Sequence, residues 1–232
     1  MATPLQRGPI PDALLRAVYA SDQDMYPAPL PYARLRSWVA ACPELSISFQ
    51  RPAGGGDDVV GVIIALPLAR AHWERLLSGE LKEMDVDAAS MFPGPGAEEV
   101  GVHVFHVERF RGEGLPERVG GQGEGAERPR FAELGVDEIV TRAALVGGWR
   151  VVGLSALTAT DAGRKSFERM GFTPTGYKEM FTIPDQASQT LLDSTKAMEV
   201  PNNGQETAEG SPKAQMVSIY PGEEIVESGK AA

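Results

Sequence analysis

The sequence predicts an α/β protein in which strands and helices alternate around one sheet. Three observations carry this. Apolar, β-branched runs at Val59–Leu66, Val100–Glu108 and Val151–Leu157 read as strands. Segments with apolar residues at helical spacing lie between them, at 71–81, 130–145 and 161–170. The full order is two helices, a hairpin, a helix, then strand-helix-strand-helix-strand, the alternation expected when helices pack on a sheet.

Each element has a local justification. Asp12 to Ala20 is a helix with Leu14, Leu15 and Val18 on one face. The proline-stiffened run 26–31 connects it to a second helix, Tyr32 to Ala41, which carries Leu35, Trp38 and Val39 and is stopped by Pro43. Leu45 to Gln50 alternates as a strand, and Gly54-Gly-Gly-Asp-Asp58 turns it into the strand from Val59. Ala71 to Leu81 is a helix with Trp73, Leu76 and Leu77 inward, and Pro93-Gly-Pro-Gly96 marks a loop. The strand 100–108 is followed by a charged, glycine-rich stretch, 109–128, and then by the helix 130–145. Thr160 or Asp161 caps the helix that ends at Met170, because their side-chain oxygens accept from its free N–H groups. Gly171 stands where a left-handed residue ends such a helix. Tyr177 to Ile183 is a last strand. From residue 185 the chain turns polar, with eight acidic residues against three lysines, and is expected to be a disordered tail apart from a short Ile219-Tyr220 segment. The chain therefore divides into a domain, 1–184, and an acidic tail, 185–232.

Composition excludes several classes. The chain has 232 residues and a net charge of −10, shared equally between tail and body, so neither offers the basic footprint of a nucleic-acid binder. No apolar run reaches membrane-spanning length, and the N-terminus lacks a basic region followed by an apolar stretch. The single cysteine, Cys42, forbids an intrachain disulfide and fits a reducing compartment. A cytoplasmic protein without a membrane partner is expected. No metal-binding cluster stands out, and the oligomeric state is not legible.

Residues 153–172, Gly-Leu-Ser-Ala-Leu-Thr-Ala-Thr-Asp-Ala-Gly-Arg-Lys-Ser-Phe-Glu-Arg-Met-Gly-Phe, resemble the last strand-helix unit of the GCN5-related N-acetyltransferase (GNAT) superfamily, where a helix closing on Gly-Phe runs beside the thiol end of coenzyme A. The resemblance covers roughly 10–183. The runs 103–109, 130–134 and 153–158 look most like fungal members of unassigned substrate. It implies a mixed sheet opened in a V between its fourth and fifth strands. It also implies acetyl-CoA as cosubstrate and transfer of the acetyl group to a small amine or a peptide amino group by direct attack. By position on strand 100–108, the backbone groups of Phe105 and Val107 hold the acyl arm. The acceptor side is built from 22–45 and 70–97.

Such a superfamily member holds pyrophosphate on a glycine-rich loop before a helix, where N–H groups face the anion. Arg109-Phe-Arg-Gly112-Glu-Gly114 matches the family's letters, but Pro116 and Gly120-Gly121 interrupt the helix behind it. The approach to the Arg130 helix, with Gly123, Gly125, Arg128 and Arg130, is favoured, because Pro129 suits a first helical position and the arginines pair with phosphate. The alternative is that the stretch is a surface insertion.

For proton transfer the candidates are His103, His106, Glu108 and Tyr177. Imidazole titrates near neutrality, and residues three apart on a strand face opposite ways. His103 shares parity with Phe105 and Val107 and is the expected base, whereas His106 shares parity with Glu108 and is expected to be structural. The family's usual tyrosine acid falls at Phe167, which donates no proton, so Tyr177, Ser166 or water must act. The family's early asparagine appears as Thr160. Both Thr160 and Phe167 are placed beside the cofactor. A rival reading is a catalytically weak acyl-CoA-binding module, and a third is an acyltransferase for a longer acyl group.

Overall fold

Seven strands form one sheet in the order β1-β2-β3-β4-β5-β7-β6 in the computed structural model, which describes residues 5–25, 30–51, 59–94, 99–110, 131–180 and 213–220. The strands are β1 (Gln6–Pro9), β2 (Ser46–Gln50), β3 (Val59–Ala69), β4 (Glu99–Arg109), β5 (Arg150–Thr158), β6 (Thr173–Met180) and β7 (Lys213–Ile219). The helices are α1 (Asp12–Met25), α2 (Tyr32–Ala41), α3 (Arg70–Ser78), α4 (Ala88–Met91), α5 (Phe131–Gly147) and α6 (Asp161–Arg169). All neighbouring strands run antiparallel except β4 and β5, which are parallel.

The sheet has an apolar layer on each face. Val100, Val102 and Val104 of β4 point to the face covered by α5 and α6, where Val136, Ile139, Ala143 and Phe167 are buried. Val62, Ile64, Leu66 and Leu68 of β3 point to the other face, covered by Leu15, Val18, Leu35, Trp38, Trp73, Leu76 and Leu77 of α1, α2 and α3. Strand alternation and helical spacing thus sort the apolar residues as expected. Thr160 caps α6 by accepting from Gly163 N–H at 3.1 Å, and Gly171 sits at φ 87 after it.

Trp73 is the largest side chain on the α3 face over the parallel pair. Its indole rests on Gly101 of β4 and Gly153 of β5, which are partners in the ladder. A Cβ at either glycine would overlap the ring. Tyr220, just past β7, meets the indole edge-on at 5.6 Å.

Three elements differ from the sequence reading. The first is β1, which has no apolar alternation and pairs as an edge strand with β2. The second is the short turn Glu83–Asp85, followed by α4, between the expected helix 71–81 and the expected loop 93–96, where the sequence suggested no element. The third is β7. Residues 213–219 fall in the stretch expected to be a tail outside the fold. They lie instead inside the sheet, between β5 and β6, with Ala214, Met216 and Val217 buried. A seven-residue strand supplying both faces shows no long apolar run, and its worth comes from the two edges it joins. The hairpin turn 54–58 and the rest of the tail lie outside the described residues.

Two outcomes are expected. A chain ending at Met180 should lose its cooperative melt, because removing β7 leaves the edge of β5 unpaired, takes from β6 the strand it pairs with, and empties the places of the buried Ala214, Met216 and Val217. Gly153→Ala should cost about 1–3 kcal/mol in denaturant unfolding, the scale of overpacking, because Trp73 has to move.

Candidate functional site

β4 and β5 pair only from Glu99↔Arg150 to Val104↔Ala156. β4 then continues with β3 as far as Gly61↔Arg109, while β5 continues with β7 as far as Thr158↔Gln215. The two strands therefore part after Val104 and Ala156, and among the described residues no strand lies across from the β5-facing edge of 105–109. A cavity of about 140 Å³ fills the opening. Phe105, His106 and Val107 form one wall, and Leu157, Thr160, Gly163 and Phe167 form the other. Asp22 and Glu83 close one end.

A second cavity, about 10 Å³, adjoins it and is lined by Leu30, Trp38, Met84 and Glu179 together with Asp22, Glu83 and Phe105. That is room for about one water molecule. The three residues common to both cavities mark where they meet.

A bulge changes the expected facing of β4. Ile64 pairs with His106 and Ala65 with Val104, so Phe105 is the extra residue. The alternation slips by one at that point. His103 and His106, expected on opposite faces, both reach groups on the α1 and α3 side of the sheet: His103 bonds Glu83, and His106 bonds Asp22. The slip also parts Val107 from Phe105, sending it toward the α5 face.

The two histidines sit in different charge environments. His106 Nδ1 lies 3.3 Å from Asp22 Oδ1 and its Nε2 3.2 Å from Glu108 Oε2. Both partners are carboxylates, which ask the ring for two donors, and only imidazolium has two. Burial alone would depress this pKa, but the bonds to Asp22 and Glu108 outweigh it and push the value up to about 9. His106 near neutral pH has no lone pair to receive a proton. The same bond holds the Glu108 carboxyl below its usual range, and Ser21 Oγ donates to Glu108 at 3.2 Å.

His103 is fully buried and lines neither cavity. Its Nε2 lies 2.7 Å from Glu83 Oε1 and its Nδ1 2.9 Å from Ser155 Oγ, which also receives the indole N–H of Trp73 at 2.9 Å. Burial raises the Glu83 pKa, and the His103 bond pulls it back. Tyr177 also lines neither cavity. Its hydroxyl meets Lys82 Nζ and donates to Glu179 Oε2 at 3.0 Å, and burial leads in raising its pKa.

The structure thus brings together Phe105, His106, Val107, Thr160 and Phe167 around one cavity, with Glu108 behind His106. Phe167 is packed edge-on against Phe172 at 5.0 Å. Gly123, Gly125, Arg128 and Arg130 lie outside the described residues, as does most of the alternative loop beyond Arg109 and Phe110. The sequence reading missed Asp22 and Glu83. Both fall within the two segments assigned to the acceptor side, but nothing in Glu80-Leu-Lys-Glu-Met-Asp85 separates Glu83 from its acidic neighbours. Among the described residues no group of three His, Cys, Asp or Glu side chains is placed to hold a metal ion. No described helix is long and apolar enough to cross a membrane.

No family model matches the sequence, and no curated protein matches it. Solved structures do match the fold. NAA60 of Arabidopsis thaliana in complex with acetyl-CoA is similar at a TM-score of 0.51 and 12% identity, over 94% of this chain and 98% of that one. The chain has the GNAT fold. Naa50 of Arabidopsis thaliana with a bisubstrate analogue gives 0.47 and 10% identity, over 94% and 99% of the two chains. A polyamine N-acetyltransferase of Drosophila melanogaster gives 0.46 and 9% identity, over 93% and 99%. Identities this low speak to fold alone, and only the first TM-score exceeds 0.5.

The charge on His106 has a measurable consequence. Its folded pKa, about 9, lies above the ordinary value of ~6.5, so its stabilising contribution is complete below ~6.5 and is lost as pH rises through 9. The stability advantage of the native chain over His106→Gln should shrink across that window in denaturant titrations. The ring protons of His106 should titrate near 9 by NMR and at lower pH in Asp22→Asn.

Proposed function

We propose that this chain is a GNAT-superfamily N-acetyltransferase that takes its acetyl group from acetyl-CoA and passes it to a small amine or a peptide amino group. The observation that carries the reading is the meeting of two cavities at Asp22, Glu83 and Phe105. One occupies the opening between two parallel strands, where an extended arm gains backbone partners on a free strand edge. The other approaches the same point from a carboxylate-bearing side, suited to a cationic amine. The residues present fit acetyl-CoA in this way: Phe105 and Val107 offer the edge of β4, and Thr160, Gly163 and Phe167 form the facing wall. When bound, acetyl-CoA supplies an activated thioester. A backbone N–H on the β4 edge stabilises negative charge developing on the thioester carbonyl oxygen.

Arg128 and Arg130, with Gly123 and Gly125, are proposed to hold the phosphates. Tyr177 is proposed to act through Glu179 and Lys82 on the acceptor side. A cytoplasmic location and a resemblance to fungal members remain part of the proposal. Cys42 is buried and its thiol is pushed up to about 11, so it stays a thiol and takes no part.

A second reading is favoured by one observation. The α6 residues lining the cavity are Gly163 and Phe167, and neither donates a proton from its side chain. A protein that binds an acyl-CoA and turns over slowly would look the same.

Acetyl-CoA in excess should raise the melting temperature in step with its concentration, and no shift at millimolar ligand removes both readings. Thiol release across a panel of primary amines separates the enzyme from the binding module. Arg128→Ala with Arg130→Ala should weaken acetyl-CoA binding by about 1–3 kcal/mol by calorimetry. Sensitivity at Arg109 and Arg111 instead would move the phosphate site to the earlier loop.

A further inference from the structure

The buried chain Trp73–Ser155–His103–Glu83 has a direction that the chemistry of its members sets. An indole N–H only donates, so Trp73 gives its hydrogen to Ser155 Oγ at 2.9 Å. Ser155 is fully buried, and its own hydroxyl hydrogen needs an acceptor. Among the described residues that acceptor is His103 Nδ1, 2.9 Å away. His103 is therefore the neutral tautomer with its hydrogen on Nε2, and it donates to Glu83 Oε1 at 2.7 Å. The chain runs one way and ends on a carboxylate whose first oxygen is committed and whose side chain lines both cavities.

Resting on the acetyltransferase reading above, we propose that Glu83 is the general base that takes a proton from the acceptor's ammonium group. In this proposal Trp73, Ser155 and His103 are positioning residues that hold its carboxylate where the cavities meet. His103 serves through Glu83 rather than by touching the amine. His106 is fully engaged with Asp22 and Glu108 and is already protonated, and Asp22, the other carboxylate lining both cavities, is ion-paired with that imidazolium; Glu83, whose ring partner is neutral, is the proton acceptor facing both cavities. One N–H proton of the ammonium passes to Glu83 and on to solvent. The freed lone pair forms the new C–N bond, the C–S bond breaks with its electrons on sulfur, and a second N–H proton ends on that sulfur.

The groups facing Glu83 set its titration. Asp22 from α1 and Glu179 from β6 push its pKa up, as burial does first, and His103 from β4 pulls it down. Lys82, the preceding residue, is occupied by Tyr177 and Glu179, and His106 by its two carboxylates. Loss of the His103 donor should therefore raise the Glu83 pKa, and kcat/KM should need a higher pH to reach its plateau.

The test compares variants in the full-length protein. Glu83→Gln should bind acetyl-CoA within twofold of the native chain by calorimetry and lose at least about 10²-fold in kcat for thiol release, the scale of a positioned base. His103→Leu should shift the acidic limb of kcat/KM to higher pH. His103→Gln, whose amide still donates to Glu83, should return that limb toward the native position, a rescue that a purely structural histidine would not show. Carbon-13 NMR of the Glu83 carboxyl should give the same order of midpoints without turnover. If His103→Leu does not fold, Ser155→Ala serves in its place, because the freed ring loses the lock on its tautomer. Full activity of Glu83→Gln at pH 7, or a Glu83 midpoint indifferent to these variants, overturns the assignment. Failure of the native chain to bind acetyl-CoA overturns the underlying reading instead.

Discussion

The indole of Trp73 rests on the glycine pair Gly101 and Gly153, and much of the molecule is arranged by that contact. The two glycines are partners across the one parallel junction of the sheet. Their bare backbones let α3 approach closely enough for a tryptophan to bridge both strands, a use of glycine that depends on the missing Cβ rather than on unusual dihedrals. Two residues along each strand stands the next pair on the same face, His103 and Ser155. The ring that clamps the strands thus also presents its N–H to the polar chain that ends at Glu83. Packing and chemistry share one anchor, and Tyr220 at the end of β7 closes over it.

Just beyond this clamp the strands part. From Gly101↔Gly153 the ladder runs on to Val104↔Ala156 and ends there. The bulge at Phe105 acts in the same place. By adding one residue to β4 it sends His106 to the side of His103 and places the edge of β4 along the cavity. Bulges next to functional sites commonly re-aim side chains in this manner.

The electrostatics follow from burial and pairing more than from composition. Asp22, Glu83, Glu108 and Glu179 converge on a region with one imidazolium, His106, and one neutral imidazole, His103. Each histidine takes the protonation state that its partners can satisfy. Two carboxylates call for two donors; one carboxylate and one hydroxyl call for a donor and an acceptor. Residues that are three apart in sequence and alike in type are assigned different protonation states by their hydrogen-bond partners.

By itself the sequence determined the alternation of strands and helices, the inward faces of α1, α2 and α3 and the Thr160 cap, because these depend on periodicity and on nearest neighbours along the chain; Phe105, Val107, Thr160 and Phe167 were singled out through the family resemblance. It also marked 22–45 and 70–97 as the acceptor side through resemblance, without distinguishing Asp22 or Glu83 there. Only the tertiary structure decided the rest. β7 is a strand because β5 and β6 offer it two edges, and seven mostly small or polar residues carry no signal of that. The facing of His106 turns on a single inserted residue in β4, which a strict period of two cannot show. The role of Glu83 comes from contacts 20 residues away with His103 and, through it, with Ser155 and Trp73. Burial and pairing across the fold set its charge, and no local pattern encodes them.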